Sequence, residues 1–217
     1  MKMERSSGTD WIGLGLRAIK GGGVVVGMVV DEGVPRIVLS TFIPTAASDD
    51  RLALEPYRAA YEMQRGPHGG ASAQAVAAVA EGHKRQCALA TRGLGDIVCK
   101  LHNTGYQQIV AALLVNRAGW IIDTLAYSLA WPEHVPIAEG LAVRDALRFA
   151  CGRHALEVAE LDEKSLHELA SKQLRLSPHD LDIRLKSLGA TAGRPWRKEQ
   201  KLACLSAWVT LTARQRC

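Results

Sequence analysis

The most concentrated chemistry in this 217-residue chain lies in "VAELDEKSL", where Asp162, Glu163 and Lys164 follow an apolar run. Two carboxylates beside a lysine can serve as a general base or as ligands for a cation. In open α/β sheets the carboxyl ends of strands are where ligands bind. The plainer alternative is that these acids favour the N-terminus of the next helix, where negative charge is stabilising. The residues alone leave both readings open.

A second group is cationic. Arg17 and Lys20 lie in "WIGLGLRAIKGGG", and Asn116 and Arg117 follow "IVAALLV". If those two runs are neighbouring strands, their ends bring guanidinium, ammonium and amide groups towards Asp162. Such a pocket suits phosphate, carboxylate or a nucleic-acid backbone. Otherwise these are turn residues facing solvent. The densest charge cluster is "GRPWRKEQK", with Arg194, Trp196, Arg197, Lys198 and Lys201. Basic groups around an aromatic suit a phosphate backbone and base stacking. A solvated helix face with Trp196 packed inward is the plainer reading. Basic charge near a helix N-terminus opposes the helix dipole, which hints at another use.

Other chemistries find no support. The seven histidines include no H-x-x-x-H or H-E-x-x-H spacing, so zinc has no local motif. His83 falls on an apolar stripe and reads as packed, while His134 in "WPEHVP" is the loop candidate for acid–base work. The chain has no G-x-S-x-G elbow, P-loop lysine or dinucleotide fingerprint.

The elements that must position these groups follow from periodicity. "WIGLGLRAI", "VVVGMVV" and "RIVLSTFI" read as three antiparallel strands joined by "KGGG" and "DEGVP". A short helix covers Tyr57–Met63. Ser72 N-caps a long amphipathic helix reaching about His102, which Gly82, Gly93 and Gly95 weaken and could break. "IVAALLV" reads as a strand covered on both faces. A short helix, a break at "PEHVP", the helix "IAEGLAVRDALRFACGRH", the strand "ALEVAEL" and a further helix follow. Ser177-Pro178-His179-Asp180 starts another helix, which Gly189 should stop. "RPWRKEQKLACLSAWVTLTA" is the last.

The order βββαβαβα predicts a mixed α/β sheet covered by helices, with a right-handed parallel βαβ step. It matches the ribonuclease H-like fold. "VAELDEKSL" and "IAEGLAVRDALRFACGRHALEV" resemble motifs of the Holliday-junction resolvase-like proteins, including the putative pre-16S ribosomal RNA nucleases. Element order carries the resemblance over residues 11–175, motifs over 137–168. It implies a nuclease, or a nucleic-acid-associated hydrolase, with Asp162, Glu163 and Glu139 as catalytic acids. It would leave Mg²⁺ or Mn²⁺ as the cofactor to test. In that superfamily the first strand carries an Asp, and a second carboxylate commonly ends the fourth strand. Here Arg17 and Lys20 stand in and after the first strand, and Asn116-Arg117 end the fourth. An altered acid set implies nucleic-acid binding or weak phosphodiester cleavage. The alternatives are a small-molecule enzyme for an anionic substrate and a non-catalytic interaction protein.

Composition sets the frame. Apolar residues make up 47% and charged residues 23%, with a net charge of +5 and a pI near 9.1. That permits an anionic partner without requiring one. No apolar run is long enough for a membrane span, and "MKMERSSGTD" lacks the apolar core of a signal peptide. The five cysteines, with no C-x-x-C pair, predict free thiols and a cytoplasmic setting. The expected organisation is a leader over 1–10, a domain over 11–175 and a helical extension over 176–217 packed on it.

Overall fold

The computed structural model describes residues 11–116 and 119–215; the expected leader, Arg117 and Cys217 lie outside the described residues. Five strands form one sheet in the order β3-β2-β1-β4-β5. Strands β1 (Trp11–Ile19), β2 (Gly22–Asp31) and β3 (Val34–Pro44) form the antiparallel meander. Strands β4 (Gln108–Val115) and β5 (Glu157–Asp162) run parallel to β1. The β2–β3 reversal places Glu32 at φ 51° and Gly33 at φ 81°. Two successive positive φ values match the right-handed twist of the flanking strands.

Alternation divides the sheet between two cores. Ile12, Leu14 and Leu16 of β1, with Ile109, Ala111 and Leu113 of β4, face α3 (Ala73–Asn103) and α5 (Val135–Arg153). Val24, Val26 and Met28 of β2, with Val110 and Leu114 of β4, face α6 (Leu166–Leu174), α7 (Pro178–Ala192) and α8 (Lys198–Gln215). Strands covered on both faces read as continuous apolar runs, which is why "VVVGMVV" and "IVAALLV" do. Short helices α1 (Arg51–Leu54), α2 (Pro56–Glu62) and α4 (Thr124–Ala130) build the remaining layer against α3 and α5.

Glycines set the closest approaches. On β1, a Cβ at Gly15 would lie 1.7 Å from the carbonyl oxygen of Ala203, and one at Gly13 2.7 Å from that of Ala207. The backbone of α8 therefore rests directly on β1. This helix is buried from Leu202 to Leu211 and forms the centre of its core.

The long helix α3 is continuous, with the Ser72 hydroxyl accepting from the Ala75 N–H at 3.2 Å as its N-cap. Its glycines do not break it because packing fixes them: Gly82 abuts Leu52 and Pro56, Gly93 abuts Ile43, and Gly95 abuts His154. Gly189 does not stop α7 either. The Trp196 ring fills the space where its Cβ would stand, and the helix runs on to Ala192 before Gly193 at φ 80°. No helix among the described residues is long and apolar enough to cross a membrane.

Candidate functional site

The carboxyl ends of β1, β4 and β5 and the N-terminus of α8 meet at one edge of the molecule. Pairing of β4 with β5 sets Val115 opposite Asp162, and the Glu163 N–H donates to the Val115 carbonyl at 2.9 Å. Asn116, the next residue of that chain, is exposed beside them. Arg17 leaves β1 on the face that carries Gly13 and Gly15, so it points towards α8.

There Arg17 meets Glu163. Its Nε donates to Oε2 at 3.0 Å and its terminal NH2 nitrogen to Oε1 at 2.9 Å. The other terminal nitrogen lies 3.6 Å from Glu199 Oε1, in the first turn of α8. The Arg17 and Glu163 side chains are only 17% and 21% exposed. One guanidinium thus ties β1 to the end of β5 and to α8. The planar fork matches a carboxylate bidentately, a geometry that lysine could not supply. Asp162, half-buried, accepts from the Ser165 hydroxyl at 3.2 Å just before α6 begins.

The other expected groups are spread over several elements. Lys20 is exposed on the β1–β2 turn and pairs with Glu55 at 2.7 Å. Arg194, Arg197, Lys198 and Lys201 are exposed before and at the start of α8. Trp196 among them is half-buried, with its indole N–H donating to the Leu185 carbonyl at 3.0 Å. Its ring packs on α7. Glu139, in the second turn of α5, turns to another helix. Its Oε1 accepts from the Arg58 N–H at 2.8 Å, in the first turn of α2. Burial pushes its carboxyl up to about 7. His83 is packed edge-on to Tyr57 at 5.4 Å, and burial lowers its pKa. His134 stacks on the Tyr127 ring at 3.9 Å and its Nδ1 donates to the Tyr127 carbonyl at 2.8 Å.

Two features escape a sequence reading. Glu199 is hidden within a basic run, and only the packing of α8 on β1 brings it to Arg17. The second is a ring stack in the β4–α5 connection, where Trp120, 68% exposed, meets Tyr127 edge-on at 5.2 Å, and Tyr127 meets His134. The charge surplus also has an address. Lys164 to Lys201 contain nine Lys and Arg against four Asp and Glu, a surplus of five that equals that of the whole chain. These residues span α6, α7 and the start of α8, whose apolar sides share one core.

A divalent cation of the kind the resemblance implies needs several oxygens free to coordinate it. Both oxygens of Glu163 accept from Arg17, and an amide, Asn116, follows β4. Among the described residues no group of three or more His, Cys, Asp or Glu could hold a metal. The donor set does not fit, because the Arg17 guanidinium already occupies both oxygens of Glu163 and no acid ends β4.

Solved structures share this architecture. Thermus thermophilus RuvC matches with a TM-score of 0.51 at 10% identity, over 94% of this chain and 96% of that one. T. thermophilus RuvC in complex with Holliday junction substrate matches at 0.50, with the same identity and coverage. The fold is ribonuclease H-like. The yeast mitochondrial Holliday junction resolvase Ydc2 matches at a TM-score of 0.46 and 11% identity, over 99% of this chain and 85% of its own. No family model matches the chain, and no curated protein matches it. At such identity the likeness to RuvC is one of fold, and function has to be argued from the site.

Proposed function

We propose that this chain is a nucleic-acid-binding protein whose strand-end site, on a ribonuclease H-like scaffold, binds the phosphate backbone rather than cleaving it with metal. The observation that carries this reading is the Arg17 guanidinium held between Glu163 and Glu199. A cation fixed by the protein there engages both oxygens of Glu163, which a divalent ion would otherwise need. The site is then an anchoring surface, with Lys20, Asn116 and the α8 cations around it.

Two surfaces support the reading. The segment from Lys164 to Lys201 carries a charge surplus equal to that of the whole chain, with Arg197, Lys198 and Lys201 exposed beside Glu199. Phosphate contacts of this kind supply most non-specific affinity. The exposed Trp120 beside Tyr127 offers a ring face on which an unpaired base can stack. Because one of the structural neighbours is bound to a Holliday junction, a four-way junction is the first probe.

The test is fluorescence anisotropy with labelled four-way junction, duplex and single-stranded DNA in EDTA, over a range of salt. Binding should weaken steeply as salt rises. Charge removal at Arg197, Lys198 and Lys201 together should reduce the logarithmic salt slope by about 1 for each phosphate no longer neutralised. A flat salt response, or no binding at low salt, would end the proposal.

A further inference from the structure

We propose that Arg144 is an oxyanion-binding residue, kept to grip a phosphate oxygen on the α5–β5 side of the strand-end cluster. The inference deepens the nucleic-acid reading, which names the phosphate's source.

Arg144 lies on α5 and is only 9% exposed. Its Nε is sealed from solvent with no hydrogen-bond partner among the described residues. The acids whose fields reach it are Asp145, Glu163 and Glu160. Each is already committed elsewhere. One turn further along α5, Arg148 takes Glu160 through Nε at 2.5 Å and pairs with Asp145 through a terminal nitrogen. Arg17 takes both oxygens of Glu163. Three guanidiniums thus crowd three carboxylates, and the deepest of the three has none of its own.

A buried guanidinium nitrogen lacking a partner is costly, and an apolar side chain of similar length would suit the empty fold better. Groups that destabilise a fold in this way are retained where they act. The fork geometry of a guanidinium fits two oxygens of one phosphate. The neighbouring acids, held by Arg17 and Arg148, do not compete for it. Nε itself is sealed, so an incoming phosphodiester oxygen meets the terminal nitrogens, which are not.

The experiment compares wild type with Arg144→Met in phosphate-free buffer, by thermal unfolding and junction binding. The variant should melt at or above the wild-type temperature, since a costly charge is gone. Inorganic phosphate, at fixed ionic strength against a chloride control, should raise the wild-type Tm by several degrees and leave the variant unmoved. Junction affinity should fall about tenfold in the variant. A variant that melts lower, or that keeps the phosphate response, overturns the inference. Failure of Arg144→Met to fold refutes the stability expectation outright. Arg144→Lys, which keeps the charge without the fork, then carries the binding test, and an undiminished phosphate response there refutes the rest. If junction binding is strong but equal in both proteins, this inference fails and the nucleic-acid reading stands. If phosphate acts through Arg144 while no nucleic acid binds, the reading fails and the oxyanion site stands, for a small phosphorylated ligand.

Discussion

Removing one side of the Arg17–Glu163 pair has consequences that can be worked out from its geometry. Two charge-assisted hydrogen bonds at 2.9 and 3.0 Å join side chains that are about four-fifths buried. At an effective dielectric constant of about 20, unit charges about 4 Å apart attract by about 4 kcal/mol, before desolvation and side-chain ordering are subtracted. A net coupling of about 2 kcal/mol is the expected remainder. Arg17→Met leaves both oxygens of Glu163 unsatisfied beneath α8, at a cost of about 3 kcal/mol. Glu163→Gln should cost less, about 1–2 kcal/mol, because an acceptor oxygen remains and Glu199 stands 3.6 Å from the other side of the guanidinium. Urea unfolding of wild type, both single variants and the double variant gives the coupling directly. A coupling below about 0.5 kcal/mol, the level of an exposed surface pair, would show that the pair is not an organised cation site. The reverse order of the single variants would refute the role given to Glu199.

Two further outcomes follow from packing and burial. Gly15→Ala must push α8 off β1, since its Cβ would meet the Ala203 carbonyl at 1.7 Å, and should cost more than about 3 kcal/mol. The same change at Gly140, with nothing within 4 Å inside α5, should stabilise by about 0.5–1 kcal/mol, so opposite signs in denaturant titrations check the contact. Glu139 has a folded pKa of about 7 against an ordinary 4.5. Its proton is held more tightly in the folded state, so its contribution is fully present below pH 4.5 and is lost as pH rises through 7. The loss should be about 2 kcal/mol after allowance for partial solvent access. Glu139→Gln, which keeps a carbonyl for the Arg58 N–H, should flatten the decline between about pH 4.5 and 7 in unfolding midpoints. An unchanged slope would exclude Glu139 as its source.

The parts of the fold legible in sequence are those fixed by local chemistry. The Glu32-Gly33 turn, the Ser72 and Ser177 caps and the apolar runs of β2 and β4 each carry their own signal. The glycines of α3 and Gly189 mislead because their meaning lies in what abuts them from distant segments. A breaker read alone becomes a contact point once Ile43, His154 or Trp196 is in place. The same limit governs the site. Asp162 and Glu163 announce themselves by position after a strand, and Arg17 by standing where an acid was expected. Glu199 does not, because its neighbours are basic and its partner lies 182 positions away in sequence. Nor does Arg144, whose significance is the absence of a partner for its Nε, a property only three-dimensional burial reveals.

If Arg17 holds Glu163 in place of a metal ion and the exposed cations at the start of α8 take the phosphates, nucleic acid must bind without metal and remain uncut. Incubating the wild-type protein with labelled four-way junction DNA in EDTA, in Mg²⁺ and in Mn²⁺, and following binding and strand cleavage together, tests this without any variant. The expected result is binding in EDTA, at matched ionic strength no weaker than in either metal, with intact strands throughout. Cleavage that requires Mg²⁺ or Mn²⁺ and disappears in Asp162→Asn would contradict it.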